Sequence, residues 1–267
     1  KTGGAPFQRY EPNLPTRQLG TADNEGALSQ WDISYGASYL SKFYVGLGLH
    51  FSKINATSTT FWQEEFVGAN YVAGLQYQEK LVNTGSGISA TLGMIYKLSS
   101  NLRASLALHT PMFFDQMNER YDATLNPRVF GIPSFDSKGN PITITRVGAV
   151  KLTPNEFTYQ LTTPFKISGG AAYFFGKRGL LSLDLEYVNY PGMRVSSAEL
   201  SATDNINFEN KYNGQTQKNF QSALNIKLGT EIRLSANFNL RGGVATWGNS
   251  YSPTYDSIDR TVFQISY

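Results

Sequence analysis

The sequence contains no cysteine, which removes disulfide frameworks, thiolate metal sites and cysteine nucleophiles. Histidine is almost absent too: 267 residues hold two, His50 and His109. Distant from each other in sequence, they do not make the clustered ligand set of a metal centre. No serine is marked as the nucleophile of a Ser-His-acid hydrolase. No enzymatic role, metal or cofactor is therefore expected. Charged residues make up only 16%, and the net charge of +3 is scattered. A basic block for nucleic acid and an acidic interaction tail are both lacking. There is no apolar run of about 18 residues, so no helical membrane span is available. Gly46-x-Gly48 lacks the third glycine and the following helix of a dinucleotide fingerprint. The polar, proline-containing stretch Lys1 to Leu19 does not read as a signal peptide, so any export signal is expected outside this chain.

Aromatic residues, by contrast, are plentiful at 13%, and glycine occurs 25 times. The dominant pattern is alternation with a period of two in segments of about ten residues. Trp31, Ile33, Tyr35, Ala37 and Tyr39 share one face, and Asp32, Ser34, Gly36 and Ser38 the other. Phe43 to Phe51, Ile88 to Tyr96 and Leu102 to Leu108 repeat this. Further along, Leu181, Leu183, Leu185 and Tyr187 oppose Ser182, Asp184 and Glu186. Leu224, Ile226, Leu228 and Ile232 oppose Asn225, Lys227, Glu231 and Arg233, and Phe238, Leu240 and Val244 oppose Asn239 and Arg241.

Tight polar turns are expected at Leu40 to Lys42, Leu98 to Asn101, Gly176 to Gly179 and Ser235 to Asn237. Long connections are expected over Ser52 to Ser86, Pro111 to Pro164, Pro191 to Lys218 and Gly248 to Ser257, with a hairpin inside Thr143 to Tyr159. A soluble β-sandwich or lipocalin-like barrel also alternates. Short turns at one end, long loops at the other, aromatics beside the turns and low charge instead favour an all-β, transmembrane antiparallel β-barrel. The apolar face would then meet lipid and the polar face line a lumen. About nine strands are legible. Bacterial barrels have even strand numbers, and an open edge cannot face lipid with unpaired backbone groups. The single barrel domain read over residues 1–267 is thus expected to be incomplete at one or both ends.

Four blocks resemble the FadL-like outer-membrane transport proteins, the family of long-chain fatty acid and aromatic hydrocarbon channels. They are Gln30 to Gly36 with Phe43 to Gly46; Gly85 to Ile88 with Gly93 to Tyr96 and Leu108-His109-Thr110-Pro111; Thr163 to Lys166 with Ala171 to Lys177 and Leu185 to Val188; and Leu224 to Leu234 with Leu240 to Gly243. The resemblance implies about fourteen strands in the full protein, roughly nine of them here, and an N-terminal hatch. It also implies localisation as a multi-pass barrel in the outer membrane of a Gram-negative cell, in contact with its lipids and lipopolysaccharide. Hydrophobic small molecules such as long-chain fatty acids would be captured by extracellular loops and released laterally through the barrel wall. No hatch and no early strands are legible, so no hatch or wall-gap residue is carried over.

Two residue groups are candidates for the site. Met112, Phe113, Phe114, Phe130, Ile132 and Phe135 are placed to catch an apolar ligand in a loop, or else to pack that loop upon itself. Asp184, Glu186, Lys227, Glu231, Arg233 and Arg241 form a polar lumen network that could hold a carboxylate, or else pair with one another as structure. The competing function is a structural or scaffolding barrel subunit with protein partners in a larger outer-membrane assembly. A diffusion porin is a third reading.

Overall fold

The computed structural model describes residues 15–68, 71–235 and 237–266. Residues 1–14 and Tyr267, on which the readings of the N-terminal stretch and the aromatic terminus partly fall, lie outside them. The order is β1 (Arg17–Tyr39), β2 (Phe43–Glu65), β3 (Val72–Lys97), β4 (Leu102–His109), β5 (Phe113–Val129), β6 (Ile132–Phe135), β7 (Pro141–Ile144), β8 (Val150–Lys151), β9 (Asn155–Thr162), β10 (Phe165–Phe174), β11 (Gly179–Asn189), β12 (Arg194–Ser196), α1 (Ala202–Asn219), β13 (Ala223–Arg233), β14 (Asn239–Trp247) and β15 (Val262–Ser266). No described helix is long and apolar enough to cross a membrane.

The chain divides into two compact units. One takes residues up to Ala27 with Ile54–Thr84 and Asn118–Phe157; the other takes Leu28–Lys53, Gly85–Met117 and Thr158–Tyr267. The second contains every alternating segment read from the sequence. Its strands follow one another across an antiparallel sheet in the order β1, β2, β3, β4, β10, β11, β13, β14, β15. The first three tight turns fall where expected, and the fourth, Ser235 to Asn237, lies partly outside the described residues. Lys42 N–H donates to the Tyr39 carbonyl across the first, with Leu40 and Ser41 both at positive φ. Non-glycine residues adopt that conformation at a cost of about 1–2 kcal/mol each.

The oily face of this sheet is exposed, which settles the orientation that alternation leaves open. Trp31, Ile33 and Tyr35 on β1, Leu183 and Leu185 on β11, Ile226 and Leu228 on β13, and Leu240 on β14 are all open to the surroundings. What little is buried lies on the opposite, polar face or in the connections: Phe114, Met117, Val188 (1% exposed), Ala223, Ser52, Asn225 and Ser197. Water would not tolerate so extensive an apolar surface.

Three neighbouring strands break in one row. Thr110-Pro111-Met112 separates β4 from β5, Thr163-Pro164 separates β9 from β10, and a 3-10 turn, Tyr190–Gly192, with Pro191 inside it separates β11 from β12. Lys166 pairs with His109 and Phe165 with Asn189, which sets the three prolines side by side. Proline offers no N–H to a ladder. Threonine hydroxyls close part of the seam: Ala90 N–H donates to Thr110 Oγ1 (2.9 Å), and Met112 N–H to Thr163 Oγ1 (2.8 Å). Counted through these breaks, nine strands of the described residues follow one another across the sheet, the last of them short, in line with the number read from the sequence.

The first unit corrects the loop expectations. Ser52 to Ser86 is not a connection, because β2 continues to Glu65 and β3 resumes at Val72. Pro111 to Pro164 is largely strand too, in β5 through β9. Its hairpin is β6–β7, pairing Ile132 with Ile144 and Phe135 with Pro141, and not the Thr143 to Tyr159 stretch. In these portions charges stand on both faces, as in Gln63-Glu64-Glu65 and Asn118-Glu119-Arg120, so no period of two marks them. They are held by backbone ladders and polar contacts instead. The Tyr77 and Tyr121 hydroxyls lie 2.9 Å apart and 3.1 and 2.8 Å from Glu79 Oε2, so their two hydrogens are shared among three contacts. Gly20 leaves room for the Trp62 ring to lie across β1, at 2.5 Å from where a Cβ would stand.

In the second unit, the segment read as a loop from Pro191 to Lys218 holds α1. Ser201 caps it, accepting from Asp204 N–H at 3.2 Å and donating to Asp204 Oδ2 at 2.7 Å. Apart from Ile206, Phe208 and Tyr212 the helix is polar, and it lacks the apolar stripe that reveals a packed helix. Side chains tie it down instead: Asn205 Oδ1 accepts from Ser197 N–H, and Asn213 exchanges two hydrogen bonds with the Val195 backbone.

Candidate functional site

The polar face of the second unit carries the chemistry. Cross-strand register brings the expected charges together in pairs. Asp184 stands opposite Lys227, and Glu231 opposite Arg241, with Arg241 Nε 2.8 Å from Glu231 Oε2. Glu186 accepts a hydrogen bond from Asn225 Nδ2 at 2.8 Å, and Asn225 Oδ1 in turn accepts from Gly248 N–H. Arg233 reaches Asn239 Oδ1 at 3.4 Å. Such opposed pairs contribute about 0.2–1 kcal/mol each. Gly229 and Gly243 face each other in the same row. With no side chains there, a cavity of about 550 Å³ opens, lined by Ser182, Asp184, Lys227, Glu231, Arg241 and Gln264 among others.

The residues expected to capture an apolar ligand are distributed differently. Phe113 is half exposed while Phe114, 6% exposed, is buried on the other face of β5. Phe114 and Met112 close over Gly87, where a Cβ would meet them at 2.8 and 3.0 Å, and Met117 closes over Gly85. Phe130, Ile132 and Phe135 belong to the first unit, at and within the β6–β7 hairpin, with Phe130 and Phe135 exposed. The adjacent phenylalanines therefore do not make one greasy patch: the strand sends them to opposite sides.

One constellation was missed. His50 and His109, far apart in sequence, are separated here by one hydroxyl group. Asp32 Oδ1 meets His50 Nδ1 at 2.5 Å, His50 Nε2 meets Thr91 Oγ1 at 2.8 Å, and Thr91 Oγ1 meets His109 Nδ1 at 3.0 Å. The row crosses β1, β2, β3 and β4. Gln30 extends it, donating to Asp32 at 2.7 Å and accepting from Ser52 at 3.2 Å. The first three residues have the order of a hydrolase relay. The Thr91 hydroxyl, however, is held between two imidazole rings and is not presented to a substrate. Hairpin counting carried the signal: Asp32 and His50 lie seven residues from Tyr39 and Phe43, the residues flanking the first turn. Thr91 and His109 are direct partners in the β3–β4 ladder.

No family model matches the chain, and no curated protein matches it. Solved structures do. A FadL homologue from Pseudomonas aeruginosa aligns over 86% of this chain and 51% of its own, with a TM-score of 0.52 and 12% identity. The toluene transporter TbuX from Ralstonia pickettii aligns over 86% of this chain and 57% of its own, with a TM-score of 0.48 and 14% identity. The monoaromatic hydrocarbon channel CymD aligns over 88% and 75%, with a TM-score of 0.42 and 12% identity. An antiparallel sheet with its apolar face outermost and its charges on the other side defines the transmembrane β-barrel class. Within that class, the fold is that of the FadL homologue, and this chain spans about half of that protein's length.

Proposed function

We propose that this chain forms part of the wall of an outer-membrane channel for hydrophobic small molecules such as long-chain fatty acids. The molecule is captured at the extracellular end, by the strands and turns of the segment read as a loop, Pro111 to Pro164, and it leaves sideways through the barrel wall. The observation that carries this reading is the exposed row of Leu, Ile and aromatic side chains on one face of the sheet, opposite a paired polar face. An apolar molecule gains little from a water-filled pore but partitions into a bilayer readily. In the second unit the exposed Phe113 and half-buried Met112 are candidates for first contact, and in the first unit, separately, the exposed Phe130 and Phe135 with the half-buried Ile132. The Asp184–Lys227 and Glu231–Arg241 pairs, with Glu186 and Arg233 beside them, keep the lumen wall polar.

The test is uptake. Cells lacking the gene should accumulate labelled fatty acid or aromatic hydrocarbon more slowly than cells carrying it. Unchanged uptake for every apolar compound tried, with stoichiometric protein partners on purification, would point instead to a scaffolding barrel.

A further inference from the structure

The hydrogen-bonded row on the polar face can exist in two directions, and the difference is one proton. Asp32, as a carboxylate, only accepts, so His50 Nδ1 must carry hydrogen. With His50 neutral, its Nε2 accepts from the Thr91 hydroxyl, and Thr91 Oγ1 then accepts from His109 Nδ1–H. His109 Nε2 is left with a lone pair and, among the described residues, no hydrogen-bond partner. If a proton arrives at that nitrogen, His109 Nδ1–H passes its hydrogen to Thr91. The Thr91 hydroxyl passes its own to His50 Nε2, and His50 becomes an imidazolium beside the Asp32 carboxylate. His109 is again neutral but now presents an Nε2–H donor. Charge and hydrogen both balance, and no ladder bond changes.

We propose that this row is the binding site for the acidic group of an apolar carboxylic acid, taking the acid's proton into the strand wall as the carboxylate docks on His109. The proposal rests on the hydrophobic-uptake reading and assigns it a docking site whose occupation is coupled to one proton. The O–H of the incoming acid gives its proton to His109 Nε2, the row relays it to His50, and the carboxylate accepts the new His109 N–H. Docking leaves the net charge of the site unchanged, because the new carboxylate is balanced by the new His50 imidazolium.

The surroundings fit both ends of such a ligand. Lys166 stands directly opposite His109 in the β4–β10 ladder and adds a fixed positive charge. Glu186, farther along on β11, is engaged by Asn225. Asp32 is the charged group facing His50 from β1, and Thr91 is the β3 residue in contact with both rings. Across the seam from His109, the half-buried Met112 offers apolar surface to a hydrocarbon chain, with the buried Phe114 beside it closing over Gly87.

The test is calorimetry of the whole protein in detergent with dodecanoic acid, and with its methyl ester as the probe that has no proton to give. Titrations in two buffers of different ionisation heat count the protons. Where the free acid is ionised, its binding should take up about one proton, and affinity should fall about tenfold per pH unit. Ester binding should show no uptake and no pH slope. His109→Gln and, separately, His50→Gln should abolish the uptake and flatten the slope, with circular dichroism reporting that the strand content is kept. Acid binding without proton uptake, or uptake unchanged in both variants, overturns the row and leaves the uptake reading standing. If the native protein binds neither acid nor ester, both fall.

Discussion

The two units use the same backbone device and opposite surface chemistry. Strands β1, β2, β3, β5 and β9 each contribute residues to both. In the second unit, alternate side chains are Trp, Ile, Leu and Phe, and they are exposed. In the first, the same strands carry Asp23, Glu25, Glu64, Glu65, Lys80 and Arg120, and on β2 and β3 the apolar residues, such as Phe61 with Trp62 and Leu81 with Val82, fall on both faces. A ladder of backbone hydrogen bonds is enough to extend a sheet into water. Only where the surroundings are lipid must one face be oily. β1 has 23 residues, about twice the 9–11 that cross a hydrocarbon core, and only its stretch Trp31 to Tyr39 carries the apolar alternation of a span.

The largest effect that would break this comparison comes from a charge on the oily face. Ile226→Arg should cost about 2–4 kcal/mol in lipid vesicles, while Leu125→Arg in the first unit should stay within about 0.5 kcal/mol. Urea titrations followed by tryptophan fluorescence read both. Next comes crowding of the polar face. Gly87→Val would drive a side chain into Phe114 and Met112 and should cost about 1–3 kcal/mol, measured the same way. Relief of backbone strain is smaller: Ser41→Gly removes the positive-φ penalty at the first turn and should stabilise by about 1 kcal/mol.

The smallest effect is a pH dependence in the first unit. Side-chain and backbone hydrogen bonds from Asn140, then the N–H groups of Lys138 and Gly139, hold the Asp136 carboxyl below its usual range. A depressed folded value means its contribution is complete above the ordinary carboxylate range and is lost as pH falls through the folded value. Amide exchange in the β6–β7 hairpin should therefore quicken on acidification in that window. Asp136→Asn should blunt the change.

This contrast also explains what could be read from the sequence. Period-two alternation exists only where the two faces meet different surroundings. Trp31 to Tyr39 and Leu181 to Tyr187 were therefore legible as strand, while Arg17 to Gln30 and Ile54 to Glu65 were not. The tight turns were legible because four short polar segments separate apolar runs. Helix α1 was not, since Thr203 to Asn219 has no apolar stripe; only the Ser201-x-x-Asp204 cap announced it. The charge pairs Asp184–Lys227 and Glu231–Arg241 were expected as a group, and register then assigned the partners. The Asp32–His50–Thr91–His109 row needed the register of three hairpins at once.

The three tryptophans offer the most direct test of which way the oily face points. Trp31 is 80% exposed on the apolar face of β1, Trp62 lies in the first unit, and Trp247 lines the polar cavity. Single-tryptophan variants in vesicles of brominated lipid should show strong bromine quenching of Trp31 and little of Trp62 or Trp247, with acrylamide in the water giving the reverse order. Acrylamide quenching of Trp31 with no effect of bromine would place that face in solvent and contradict the membrane-wall reading.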